Sequence, residues 1–251
     1  MSVVDVAMVG RLGTEALAAT GMGSMMFWGA LSLAIGIRTA VQTVTARRLG
    51  QGLHKESGMA LRNGLALATL YSLPTSFFVW KYSDSLARFF IEDPSATPLT
   101  TDYVSIVFTG LLFSSYSFVF QGFFTGIEKT KIHMKVTVVS NVLNVYLNAG
   151  LIYGSSGVQE FFNEQLSILS FLSYLWTWAN FPALGVKGAA IGTLISSFWM
   201  TAHYAVSLLS KQTSKRYSVL RFSFDREMMK RQVQLALPQG LQAVSYTHLR
   251  A

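Results

Sequence analysis

There is no cysteine among the 251 residues, which excludes a disulfide framework and any thiolate metal site. Charge is scarce at 13%, against about 25% in an ordinary soluble domain. Negative charge is the scarcer sign, with 12 Asp and Glu against 20 Lys and Arg. The four histidines, His54, His133, His203 and His248, are scattered, and no two stand at zinc-ligand spacing. No transition-metal site is therefore expected. No serine–histidine arrangement for nucleophilic catalysis and no glycine-rich phosphate loop of the Walker type occurs, so neither a serine-type membrane hydrolase nor direct ATP coupling is read from this stretch. Paired acid and base residues at one depth are missing too, so the chain does not read as an enzyme.

What is abundant is apolar: 51% of the residues are hydrophobic, arranged in long runs. A membrane helix needs about 20 such residues. Residues 1–10 are too short to cross and read as the second half of a truncated first span. Further spans are expected over about 15–48, 58–80 (holding Pro74), 103–125, 133–154 and 186–209. The fold class is thus all-α, a polytopic membrane protein with a six-helix transmembrane bundle. The net charge of +8 is distributed by connector. Alternate connectors (47–55, 128–135, 211–231) hold thirteen Lys and Arg, and the others (10–15, 81–102, 154–187) hold four. That bias places the basic loops in the cytoplasm and argues against nucleic acid as partner. It also makes the apolar stretch 166–179 an aromatic segment at the outer interface, anchored by Trp176 and Trp178, and not a further span.

Polar residues inside the spans are few. Asp5 is the only carboxylate well inside one. A carboxylate in hydrocarbon must take up a proton or bind a cation, unless it reaches solvent. On the fifth span Thr137, Asn141, Asn144 and Asn148 stand at i, i+4, i+7 and i+11, one stripe down one helix face. Amides in a membrane face protein or a cavity, so this stripe either lines a cavity or bonds neighbouring helices. Arg38 and Gln42, at i and i+4 on the second span, are also candidates for cavity lining.

The segments VDVAMVGRLGTEALAATG, VQTVTARRLGQG, FFTGIEKTKIHMKVTVVSNVLNVYLNAGLIYG and LGVKGAAIGTLIS resemble, in order and spacing, the signature segments of the multidrug and toxic compound extrusion (MATE) family. The resemblance covers most of residues 1–154 and 181–209. It implies one lobe of a two-lobe antiporter that rocks between inward and outward access. Re-entry of H⁺ or Na⁺ would drive export of small organic, often cationic, compounds. By the same resemblance Asp5, Asn144, Asn148 and Thr193 form the cation-binding site of the amino-terminal lobe, with no cofactor besides the coupling ion.

The sequence departs from the family pattern in three places. Asn stands at 148 where some branches carry Asp, which suits protonation of Asp5 at least as well as Na⁺. Residues 158–178 read as an insertion. The second lobe is missing, so the expected partners are that lobe, membrane lipid and a small organic substrate. The domain reading is 1–210 as the transmembrane lobe, 211–232 as a cytoplasmic inter-lobe linker, and 233–251 as the start of a seventh helix. Its ending, VSYTHLRA, reads as a non-native tail of an incomplete reading frame. The expected location is the cell inner membrane. Two alternatives stay open: a lipid-linked precursor flippase of the same superfamily, to which Arg38 points, and a non-transporting membrane fragment.

Overall fold

A computed structural model describes residues 2–165, 167–221 and 223–248. Every regular element among them is helical. The short α1 (Ser2–Val9) ends in a 3-10 turn, Gly10–Leu12, and α2 runs Thr14–Gly50. At 1.5 Å per residue its 37 residues are about 55 Å long. The α3 helix (His54–Lys81) keeps Pro74 inside it.

The expected fourth span is two helices, α5 (Ala96–Thr109) and α6 (Leu111–Gly126), bent by 45° at Gly110. The side chain of Thr109 bonds back to the Ile106 carbonyl just before the bend. The connector before α5 is also partly helical, as α4 (Ser83–Phe90). Asp93 starts α5, its Oδ1 accepting from the amide and hydroxyl of Ser95.

The expected fifth span is α7 (Thr130–Gln165), longer than 133–154 and broken at Gly154, where φ is 74°. Only glycine takes that backbone without strain. Helix continues past the break, so the expected connector 154–187 is partly helical. A 3-10 segment (Ser167–Ser173) and the one-turn α8 (Tyr174–Thr177) follow, then α9 (Val186–Leu208). After α10 (Lys211–Tyr217), α11 (Arg226–His248) starts before the expected 233. Asp225 sets that start: its Oδ1 accepts the amides of Glu227 and Met228.

Among the described residues two helices are long and apolar enough to cross a membrane, Thr14–Gly50 and Thr130–Glu164, or three with the bent α5–α6 pair. The α3 and α9 helices are long enough, at 28 and 23 residues, but rich in Ser, Thr, Gly and polar groups. The chain divides into two compact units. The first comprises Met1–Met26, Phe78–Thr109 and Ser140–Ser196, and its buried core includes Val9, Tyr103, Val107, Ile152 and Ala190. The second comprises Phe27–Phe77, Gly110–Val139 and Ser197–Ala251. Its core gathers Val41, Leu61, Val119, Phe123, Phe124 and Tyr204.

Candidate cation site

The candidate site lies in the first unit and is built on α7. Asn144 and Asn148 are one turn apart on the same face, and both are fully buried. Asp5, on α1, is 8% exposed. The Asn148 Nδ2 donates to Asp5 Oδ1 at 2.5 Å, across 143 residues of sequence. A second tie holds α1 to α7: the Tyr153 hydroxyl donates to the Met8 carbonyl.

The third wall is α9, and glycine brings it close. A Cβ at Gly188 would lie 2.1 Å from the Leu151 carbonyl oxygen, and one at Gly192 would lie 2.0 Å from Asn148 Oδ1. The two glycines are four apart in GAAIG, a spacing that lets membrane helices touch backbone to backbone. Thr193 follows Gly192 directly. The structure thus brings Asp5 and Asn148 into contact and sets α9 against Asn148 beside Thr193.

The polar atoms here are largely unpartnered. Both amide atoms of Asn144, Asn148 Oδ1 and Thr193 Oγ1 are buried without a hydrogen bond. Ser140, one turn before Asn144, is also fully buried with an unpartnered hydroxyl. Each such group costs about 1–3 kcal/mol unless something satisfies it. Tyr103, bonded to Ser24, lies within electrostatic reach of Asp5. The donor set is one carboxylate, amide oxygens and hydroxyls, all hard oxygen ligands suited to a proton or an alkali cation. Among the described residues no three of His, Cys, Asp and Glu cluster as a metal site.

The expected stripe on α7 is divided. Asn141 is half-buried, and Thr137 belongs to the second unit, where its hydroxyl lies 3.2 Å from His133 Nδ1. That nitrogen also meets the Tyr204 hydroxyl at 2.5 Å, and His133 Nε2 meets Gln121 at 2.7 Å. Arg38 is half-buried and electrostatically close to both His133 and Tyr204. Gln42 is half-buried, its carbonyl against Gly126. Ser140, Gly192 and the His133–Tyr204 pair emerge only from the structure. The four-residue steps Ser140–Asn144–Asn148 and Gly188–Gly192 were the available signals.

The MatE family model matches residues 1–149, well over half of the chain. A probable multidrug resistance protein NorM of Rhodopseudomonas palustris is 24% identical over 249 residues, 98% of this chain and 48% of its own length. The protein of that name from a Synechococcus species is 31% identical over 184 residues, 72% of this chain and 38% of its own length. Among solved structures, a multidrug resistance MATE family transporter of the MOP superfamily, captured facing inward, matches with a TM-score of 0.79 at 24% identity. That match covers 97% of this chain and 50% of the other. A MATE structure in the bent conformation matches with a TM-score of 0.78. The chain spans about half the length of the curated relatives it matches. Its all-helical fold is that of half a MATE transporter, a multi-pass membrane fold. The chain belongs to the MATE family of transporters.

Proposed function

We propose that this chain is the amino-terminal lobe of an antiporter that couples inward movement of H⁺ or Na⁺ to export of small organic, often cationic, compounds. Asp5, Asn144, Asn148 and Thr193 bind the coupling ion. The observation that carries this reading is the Asp5–Asn148 contact in a setting where the Asn144 amide, Asn148 Oδ1 and Thr193 Oγ1 have no other partner. One buried carboxylate with a single amide donor is under-solvated when charged, and a proton or Na⁺ relieves that. Asn148 donates N–H to the ionised carboxylate. Its oxygen, turned toward Asp5, would serve an alkali cation instead. The family relationship supports export as the output, and the doubled length of the relatives supports a second lobe as the missing partner. Residues 1–210 form the lobe and 211–232 the cytoplasmic linker, in a cell inner membrane.

The test is Asp5→Asn in the two-lobed protein, reconstituted in vesicles with a fluorescent organic cation inside. Efflux driven by an imposed proton or sodium gradient should be lost, and the gradient that drives the unaltered protein names the ion. Unchanged driven efflux removes Asp5 from the mechanism. The 251-residue chain alone should show no driven efflux.

A further inference from the structure

A groove in the first unit stands beside the candidate cation site and is not part of it. Its walls are α1, α7 with the helical turns after Gly154, and the aromatic segment. Met8, Val145, Ala149, Phe161, Phe162 and Trp176 line it, around a volume of about 550 Å³. That is within the range of about 300–1,000 Å³ typical of small-ligand sites.

The groove is built and internally satisfied. Trp176 Nε1 donates to the Tyr146 carbonyl, and Ser155 Oγ donates to the Trp176 carbonyl, which fixes the indole. The Tyr153 hydroxyl is spent on the Met8 carbonyl. What faces the space is apolar, except for one charge. Arg11 lines the groove with its guanidinium 4.7 Å from the centre of the Phe161 ring. Among the described residues no carboxylate pairs with it.

An apolar body carrying one negative charge fits such a surface. We infer that the groove binds an anionic phospholipid, with an acyl chain along Phe161, Phe162 and Trp176 and the headgroup phosphate on Arg11. Two observations favour lipid over a soluble anion. The same segment turns Phe171, Tyr174, Leu175 and Trp178 outward, at 50–73% exposure, an aromatic surface suited to a bilayer interface. The chain is a membrane protein by family, so the bilayer surrounds the groove with this class of molecule. The lipid would rest on Ala7 and Met8, just past Asp5 on the same helix.

The chain, purified in a maltoside detergent, should be titrated with palmitoyl-oleoyl phosphatidylglycerol or phosphatidylcholine and read by native mass spectrometry. One phosphatidylglycerol should be retained, with about a five-fold preference over phosphatidylcholine, as one guanidinium near an anionic headgroup implies. Arg11→Gln, at an exposed position, should abolish the preference without changing the melting temperature. Ala149→Trp should fill the groove and remove retention of either lipid. If Ala149→Trp does not fold, Arg11→Gln decides alone. Equal retention of the two lipids by the unaltered chain, or an undiminished preference in Arg11→Gln, overturns the inference. So does one-to-one binding of soluble 1-naphthoate that phosphatidylglycerol does not displace, because the occupant would then be a free organic anion.

Discussion

Two polar clusters, one in each unit, treat buried polar groups in opposite ways. In the second unit His133 uses both ring nitrogens, toward Gln121 on one side and Tyr204 and Thr137 on the other. Tyr204 also stacks on Phe124 with ring centres 5.8 Å apart. In the first unit Asn144 uses neither amide atom, and Asn148 uses only its nitrogen. A closed network holds a fold together. An open one keeps its hydrogen-bonding capacity for something that comes and goes. Polar side chains along the one helix α7, His133 and Thr137 at one end and Asn144 and Asn148 further on, thus divide between architecture and a candidate site.

The largest expected effect tests the closed side. Arg62 donates to the carbonyls of Ser218 and Ser223 and to the Ser223 hydroxyl, clamping the expected linker onto α3. Asn63 adds a bond to the Asp225 carbonyl. Arg62→Leu should cost about 3 kcal/mol in unfolding free energy, since charge-assisted bonds are worth about 1.5–3 kcal/mol each and do not add fully. Proteolysis near residues 218–225 should quicken in parallel. A loss under about 0.5 kcal/mol, the scale of ordinary surface changes, would mean that the clamp is decorative.

The next prediction sets the two clusters against each other. His133→Leu strands Tyr204 and Gln121 and should lower stability by about 1–3 kcal/mol. Asn144→Leu removes two unpartnered amide atoms and should be neutral or stabilising without a bound ion. Thermal unfolding of both variants, side by side, checks this. Equal destabilisation would erase the distinction.

The smallest effect lies outside the membrane helices. Hydrogen bonds from the hydroxyl and amide of Ser95 hold the Asp93 carboxyl below its ordinary value. A lowered folded pKa means that the turn's stabilisation is fully present above the unfolded value, about 3.9, and is lost as pH falls through the folded one. Amide exchange at Ser95 and Thr97 should show constant protection from pH 8 to pH 5, after correction for intrinsic rates, and a loss only below pH 4. Asp93→Ala should remove that loss.

Much of this was legible in residue order. Helix positions on α2, α3, α7 and α9 follow from apolar runs, each with a basic loop at one end. Asp5 announced itself as a lone acid in an apolar stretch. Its meeting with Asn148 was legible only through family resemblance, because no local pattern links residues so far apart. The stripe was half legible. Periodicity put Thr137, Asn141, Asn144 and Asn148 on one face, but not that Thr137 serves His133 instead. Ser140 escaped because serine is common in helices and carries little signal alone. The bend at Gly110 and the helix starts set by Asp93 and Asp225 depend on local capping and backbone geometry, which hydropathy does not encode.

Gly192 gives the candidate site an unusual kind of member. It offers no ligand and no charge, only the absence of a methyl group 2.0 Å from the Asn148 amide oxygen. Every missense change of its codon adds a side chain there. A random-mutagenesis selection for altered ion preference should therefore recover position 192 alongside position 5. A survey restricted to polar residues would pass over it.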